Sequence, residues 1–297
     1  MDSSESPLLA ALHRDGFVVI PSLLPAPQLA ALRTAAGRLT SAARAGQWPH
    51  IRTVGKQFPP WPSTPPADGG IWGVQHLLHP RLPVGPEDRA AFLELYFGPA
   101  LLRVAEELMA CGDDDLVLEL CNMLVRPGRE FALRWHRDDV PAEATPAEEE
   151  ARLAEPAWHA QWNVALYDDD SLVVVPGSHR RARTEVERRA DPYEPTLPGM
   201  LKVQLRAGDA VFYDNNILHR GVYDTEKERM TPHGTVGHAG GSRARARNVL
   251  QHGVGAWVDE CDFSGLPEET RVLAEAMRER LLKLGRENTD VGYSLSG

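Results

Sequence analysis

The feature that most constrains the fold is a change of hydrophobic period at Leu116. Ahead of it, apolar residues recur at helical spacing; beyond it, they come in short runs separated by turn residues. Leu116 to Val125, Trp158 to Tyr167, Leu172 to Val175, Met200 to Leu205 and Ala210 to Asp214 each read as a strand, and Ala246 to Val258 resumes the pattern. Pro127-Gly128, Pro176-Gly177 and Ala207-Gly208-Asp209 supply turns between them. Helices followed by a run of strands imply an antiparallel sandwich or jelly roll, mainly β, with flanking helices on one side.

The first part is read in the same way. Leu8 to His13 ends a short helix, Asp15-Gly16 turns the chain, and Phe17-Val18-Val19-Ile20 is a compact strand closed by Pro21. Ala26 to Ala45 has leucines at 29, 32 and 39 among alanines, with Pro27 near its start and Gly46 at its stop, so a helix is expected. Glu87 to Cys111 carries a broad apolar helical face that Gly98-Pro99 should split, and Pro267 to Leu284 reads as a final amphipathic helix. Gln47 to Pro86 is dense in proline, glycine and tryptophan; it is expected to be largely irregular, forming either one wall of a cleft or a loop packed on the surface. Pro141 to Pro156 reads as an acidic excursion, and Thr225 to Gly241 as a polar, glycine-rich loop. These readings give a single domain over 1–297, with a helical part at 1–115, a strand core at 116–258 and a C-terminal helix and tail at 259–297.

A formal net charge of -10 excludes a phosphate backbone or an anionic lipid surface as the natural partner. Three cysteines, Cys111, Cys121 and Cys261, form no Cys-x-x-Cys pair and suggest neither a disulfide framework nor a zinc knuckle. No signal-peptide pattern, membrane-length apolar run or Ser-Lys-Leu ending is seen, so a cytoplasmic protein is expected.

His136 and Asp138 stand two positions apart in Arg134-Trp135-His136-Arg137-Asp138-Asp139, and on an extended backbone such residues share a face. The pattern alone says little, since His13-Arg14-Asp15 repeats it at a helix-to-strand junction, where Asp15-Gly16 is better read as turn chemistry. His219, 81 positions after Asp138 (219 − 138), is the third candidate. Two histidines and one carboxylate with the opposite positions open is the ligand set of non-haem Fe(II) oxygenases.

Four stretches in this order carry a resemblance: Asp15-Gly16-Phe17-Val18-Val19, Trp135-His136-Arg137-Asp138, Leu172-Val173-Val174-Val175-Pro176-Gly177-Ser178-His179, and Gly208-Asp209 through Leu218-His219-Arg220-Gly221. The chain resembles the phytanoyl-CoA dioxygenase family of 2-oxoglutarate-dependent oxygenases. The resemblance implies a double-stranded β-helix with N-terminal helices. His136, Asp138 and His219 would then hold Fe(II), with 2-oxoglutarate as cosubstrate, dioxygen as oxidant and a small organic molecule as substrate. The usual outcome in the family is hydroxylation with release of succinate and CO2, and the presence of Asp138 argues against a halogenase. In the family, an arginine on the strand following the distal histidine closely takes the far carboxylate of 2-oxoglutarate. Here Ser242-Arg243-Ala244-Arg245-Ala246-Arg247-Asn248-Val249-Leu250-Gln251 most resembles that strand, so Arg247 is expected to be the anchor, 28 positions after His219 (247 − 219). Arg245 is the alternative; Arg229 sits closer to His219 but in an expected loop. A solvated basic edge is the bland reading of the whole cluster.

Other candidates remain open. His179 either faces the pocket or bonds backbone in its turn; of Trp162 and Asn163 alternation lets only one face a cosubstrate, and Asn122 is similar. His76, His79, His233 and His238 read as solvated loop histidines. Trp48 to Trp72 and Tyr223 to Gly241 are the expected specificity elements. A kinase reading of His-Arg-Asp fails, because neither copy continues to the required Asn and Asp262-Phe263-Ser264 is not Asp-Phe-Gly. A zinc hydrolase could use the same ligands but has no other support. The remaining competitor is a jelly roll acting as a metal-dependent isomerase or a small-molecule binding protein.

Overall fold

The computed structural model describes residues 5–68, 70–156 and 159–289. In chain order its elements are α1 (Pro7–Asp15), β1 (Phe17–Ile20), α2 (Ala26–Arg44), β2 (Ile51–Thr53), β3 (Ile71–Val74), α3 (Pro86–Phe97), α4 (Pro99–Met109), β4 (Leu116–Val125), β5 (Phe131–Ala132), α5 (Pro146–Leu153), β6 (His159–Val164), β7 (Leu172–Val174), α6 (Glu185–Arg189), β8 (Leu201–Lys202), β9 (Ala210–Tyr213), β10 (His219–Tyr223), β11 (Met230–His238), α7 (Arg243–Gln251) and α8 (Glu268–Glu287). The strands form two antiparallel sheets, one in the order β1-β9-β6-β11-β4-β3-β2 and one in the order β5-β10-β7-β8. This is the jelly roll with flanking helices that the strand pattern implies.

Local chemistry sets the helix boundaries. The Ser6 hydroxyl accepts from Leu9 N at 3.2 Å, Pro7 opens α1, and Gly16 ends it at φ 81, where the chain turns into β1 and pairs with β9. Thr145 and Glu148 cap α5 reciprocally, and Gly98-Pro99 separates α3 from α4. The helices α3, α4 and α8 cover the outer face of the large sheet, where Phe92, Tyr96, Leu101, Trp162, Phe212 and Met277 belong to one core cluster.

Tyr96 also mends the sheet. The β11–β4 register shifts between Gly234 and Val236. There the buried phenol accepts from Glu119 N at 2.8 Å and donates to Thr235 O at 2.7 Å. Removing that hydroxyl would strand two buried backbone groups, at a cost of about 1–3 kcal/mol.

Several segments differ from the sequence reading. Thr225 to Gly241 is no loop: Met230–His238 is β11, a central strand paired with both β4 and β6. It is polar because Thr235 and His233 face a pocket. Its glycines are needed because a Cβ at Gly234 would lie 2.5 Å from Leu120 O and from the Trp162 ring, and one at Gly237 2.4 Å from Glu119. Pro232 is tolerated because pairing with β6 begins only at His233. Conversely, Ala246 to Val258 is not a strand but helix α7 followed by single 3-10 turns at Val254–Ala256 and Val258–Glu260. The Arg-Ala-Arg-Ala-Arg alternation mimics period two, yet these are strong helix formers, and Ala246 and Val249 bury on one helical face. Gln47 to Pro86 is irregular only in part, since β2 and β3 within it extend the large sheet. Of Met200 to Leu205 only Leu201–Lys202 is strand, and Trp158 lies outside the described residues.

Candidate metal centre and its pocket

His136 and His219 form an antiparallel bridge, each N–H donating to the other's carbonyl at 3.0 Å, and their rings lie 4.3 Å apart. Two residues on, Asp138 N donates to Asn215 O at 2.9 Å, which holds the carboxylate on the same side as the His136 ring. His136 Nε2 stands 3.5 Å and His219 Nε2 3.8 Å from Asp138 Oδ1, and all three donor atoms lie within 4.8 Å of one another. Three ligands at right angles on bonds of about 2.1 Å are about 3 Å apart, so a small inward adjustment would close them on one ion.

The tautomers suit that purpose. His136 Nδ1 is 2.8 Å from Arg134 O, and His219 Nδ1 is 2.8 Å from Ile217 O. A carbonyl can only accept, so each Nδ1 carries the proton and each Nε2 offers its lone pair to the centre. Burial, then the neighbouring His219, pushes His136 down to about 4, which favours the neutral ligand form. Burial works to raise the Asp138 carboxyl, but His219, His136 and the Gln161 amide, 2.9 Å from Oδ2, together hold it below its ordinary value.

Arg137, between the two ligands, points the other way into the protein. It donates to Ser178 O at 3.0 Å, to Arg181 O at 3.1 Å and to Asn216 O, and stands 3.6 Å from Glu149, a fully buried carboxylate that Arg183 and Arg188 also pair with. The Pro176-Gly177-Ser178-His179 turn is thereby fixed. Ser178 Oγ accepts from Leu218 N at 2.7 Å, Gly177 N donates to Asp15 O at 2.9 Å, and His179 Nε2 lies 3.1 Å from His13 O. His179 is therefore a backbone-bonded turn histidine away from the pocket, pushed down to about 4, chiefly by burial.

The three ligands line a pocket inside the barrel. Phe58, Pro59, Trp61 and Trp72 form one wall, from the Trp-rich segment, while Trp48 is buried in the core. Gln161 and Asn163 face the pocket from β6, and Trp162 faces the core, as alternation requires. Asn122 is structural: its Oδ1 accepts from His76 N at 2.9 Å. The reading of His76 and His233 as solvated loop histidines is overturned: His76 lies in the loop after β3 but is buried, and His233 lies on β11. His76 is buried against His50 and Trp257 and pushed down to about 3 by burial; His233 lines the pocket, 2.8 Å from Asn163 Oδ1, and is also pushed down to about 3 by burial. His238 lies at the end of β11 beside Cys111 and Asp115.

Four arginines bear on the expected anchor. Arg247 lies on α7, not on a strand, and is absent from the pocket lining. Arg245 reaches the pocket but is held bidentately by Glu119, at 2.9 and 2.6 Å, and by Thr235. Arg229, expected in a loop, immediately precedes β11, the strand that follows the one opened by His219, ten positions on (229 − 219). It is buried in the pocket wall, its Nε donates to Asp169 at 2.9 Å, its guanidinium stacks 4.6 Å over Tyr223, and its buried Nη1 has no hydrogen-bond partner. Arg52, from β2, also lines the pocket. The signal for Arg229 lay in its spacing, which the polarity of β11 disguised.

Comparison with curated proteins finds no match. Among solved structures the chain is similar to AviO1 from Streptomyces viridochromogenes Tue57 (18% identity, 79% of this chain and 95% of that one, TM-score 0.56). It is also similar to EctD from S. alaskensis with bound Fe (19% identity, 80% and 79%, TM-score 0.56). A third is the epimerase SnoN from nogalamycin biosynthesis in complex with Fe3+, alpha ketoglutarate and nogalamycin RO (22% identity, 78% and 82%, TM-score 0.51). At these identities the likeness shows the fold. The model of the phytanoyl-CoA dioxygenase (PhyH) family matches residues 12–231, a span that holds all three candidate ligands and Arg229. The chain belongs to the phytanoyl-CoA dioxygenase family, whose members are Fe(II)- and 2-oxoglutarate-dependent enzymes.

Proposed function

We propose that this protein is an Fe(II)- and 2-oxoglutarate-dependent dioxygenase that oxidises a small organic molecule at an unactivated carbon, with hydroxylation as the outcome. The observation that carries this reading is the convergence of His136 Nε2, His219 Nε2 and Asp138 Oδ1, both imidazoles locked by backbone carbonyls in the metal-binding tautomer. Iron and 2-oxoglutarate, when bound, would supply the oxidising chemistry: one atom of dioxygen would enter succinate as 2-oxoglutarate loses CO2, and the other would enter a substrate C–H bond as the hydroxyl.

The protein's own residues have separate tasks. His136, His219 and Asp138 hold the ion on one side and leave the pocket side open; Gln161 fixes the rotamer of Asp138. Arg229, rather than Arg247 or Arg245, takes the far carboxylate of 2-oxoglutarate, because it combines burial, a position on the wall and an unpaired Nη1. Asp169, itself held by Ser171 N and by Thr231, orients that guanidinium. Phe58, Trp61 and Trp72 keep water from the substrate side.

The test is an anaerobic titration with Fe(II) and 2-oxoglutarate. The weak visible charge-transfer band of the chelate is expected in the wild type and lost in Asp138→Ala, with succinate formed when air is admitted. Arg229→Ala should weaken 2-oxoglutarate by at least about tenfold, and Arg247→Ala by less than about twofold. The reverse order would reassign the anchor. Similarity to SnoN, described as an epimerase, and to SnoK, described as a carbocyclase, favours a second reading in which hydrogen removal ends in rearrangement rather than hydroxylation. Oxygen-18 incorporation into product separates the two.

A further inference from the structure

Three arginines line the pocket, and two of them are neutralised within the protein: Arg229 by Asp169 at 2.9 Å and Arg245 by Glu119 at 2.6 Å. Arg52 differs. Among the described residues no carboxylate lies within ion-pair distance of it, and its buried Nε has no hydrogen-bond partner. Its stem passes over Gly73 of β3, where a Cβ would come within 3.0 Å of Arg52 Cδ. Its guanidinium stacks 5.5 Å from the Trp61 ring and 5.2 Å from the Trp72 ring. Stacking steadies the cation and leaves its hydrogen-bonding edge unused. Burial lowers its pKa, whereas those of Arg229 and Arg245, beside their carboxylates, are raised.

Arg52 belongs to β2 and Arg229 immediately precedes β11, and each stacks on its own ring, Trp72 for one and Tyr223 for the other, the two rings lying 5.7 Å apart. Besides Arg229 the pocket therefore carries a second guanidinium that, among the described residues, has no carboxylate partner. The cosubstrate has a single far carboxylate, and Arg229 accounts for it.

We infer that the substrate carries a carboxylate on an apolar body, and that Arg52 binds this carboxylate between Trp61 and Trp72 so that a carbon elsewhere on the molecule faces the metal ligands. The inference rests on the iron and 2-oxoglutarate reading above. The planar fork of a guanidinium matches a carboxylate edge to edge, and the two indoles supply an apolar corridor for what is attached to it. Arg52 is thus a specificity residue for one charge class of substrate.

The experiment uses the full chain loaded anaerobically with Fe(II) and saturating 2-oxoglutarate, so that the metal and Arg229 are occupied. The probes are 3-phenylpropionate and its uncharged analogue 3-phenylpropionamide, read by perturbation of the charge-transfer band. The wild type should bind the carboxylate at least about thirtyfold more tightly than the amide. Arg52→Gln should lose that preference while binding 2-oxoglutarate within about twofold of the wild type, and Arg52→Lys should recover part of it. Equal binding of the two probes, or failure of the carboxylate to bind at all while the band is present, overturns the inference. So does Arg52→Gln weakening 2-oxoglutarate as Arg229→Ala does, which would make Arg52 a cosubstrate anchor. Failure of the wild type to form the band is seen before any probe is added and counts against the iron reading instead; tryptophan fluorescence of the metal-free chain with the same two probes then decides the Arg52 question.

Discussion

His13-Arg14-Asp15 and His136-Arg137-Asp138 are the same three residues in the same order, and the protein uses them in opposite ways. The first closes helix α1, where residues two apart point about 200° away from each other. The exposed His13 side chain pairs with Glu5, Arg14 pairs with the adjacent Asp15, and what the segment offers the rest of the molecule is its backbone. The second runs extended against β10, so its histidine and aspartate share a face with His219 while its arginine is buried behind them. Identity of side chains therefore decides little here. Backbone conformation and the segment lying opposite decide which groups converge. The two copies even meet through one turn: Pro176–His179 bonds the carbonyls of His13 and Asp15 on one side and Arg137 on the other.

The comparison is broken most sharply at the aspartates. Asp138→Ala should reduce succinate formation by more than about a thousandfold, whereas Asp15→Ala should stay within about twofold, measured side by side at saturating Fe(II) and 2-oxoglutarate. Next come the arginines. Arg137→Ala leaves Glu149 buried with two cations instead of three and frees three carbonyls, so a loss of about 3–5 kcal/mol is expected in urea unfolding; Arg14→Ala, at an exposed pair, should leave the unfolding midpoint almost unchanged. A smaller effect tests the shared turn. His179→Ala removes the bond to His13 O and should cost about 1–2 kcal/mol, while His13→Ala, which keeps that carbonyl, should cost almost nothing. A last test is a pH dependence. His179 is pushed down to about 4, chiefly by burial, so the unfolded chain binds its proton first. The stability it contributes is present above its unfolded value of about 6.5 and is lost as pH falls toward 4; the slope of unfolding free energy over that interval should flatten in His179→Gln. An unchanged slope would place the proton uptake elsewhere.

The jelly roll and the convergence of His136, Asp138 and His219 could be read from the sequence because both rest on patterns that survive without coordinates: period-two runs, turn residues, and a His-x-Asp with a later histidine. Arg229, proposed above as the anchor, could not be read in the same way. Met230–His238 contains Pro232, Gly234 and Gly237 and turns Thr235 and His233 toward the pocket, so the central strand of the large sheet has the composition of a loop. Arg243–Gln251 has the complementary disguise, a helix whose alternating arginines imitate a strand edge. Once these two segments exchange identities, Arg229 falls at the head of the strand that follows His219. Arg52 and the burial of His76 were hidden for another reason, since β2 and β3 are three and four residues long in a stretch dominated by turn formers.

The locking of both imidazoles by the carbonyls of Arg134 and Ile217 has a consequence for how such a site can change over time. A carbonyl belongs to every residue, so no substitution at position 134 or 217 that keeps the backbone path deletes the orienting partner. The aim of the two ligands is insulated from drift in their immediate neighbours. The walls, Phe58, Trp61, Trp72 and Arg52, have no such insulation. Under the proposed function, substrate preferences can therefore change at these wall residues while the aim of the candidate ligands stays as it was.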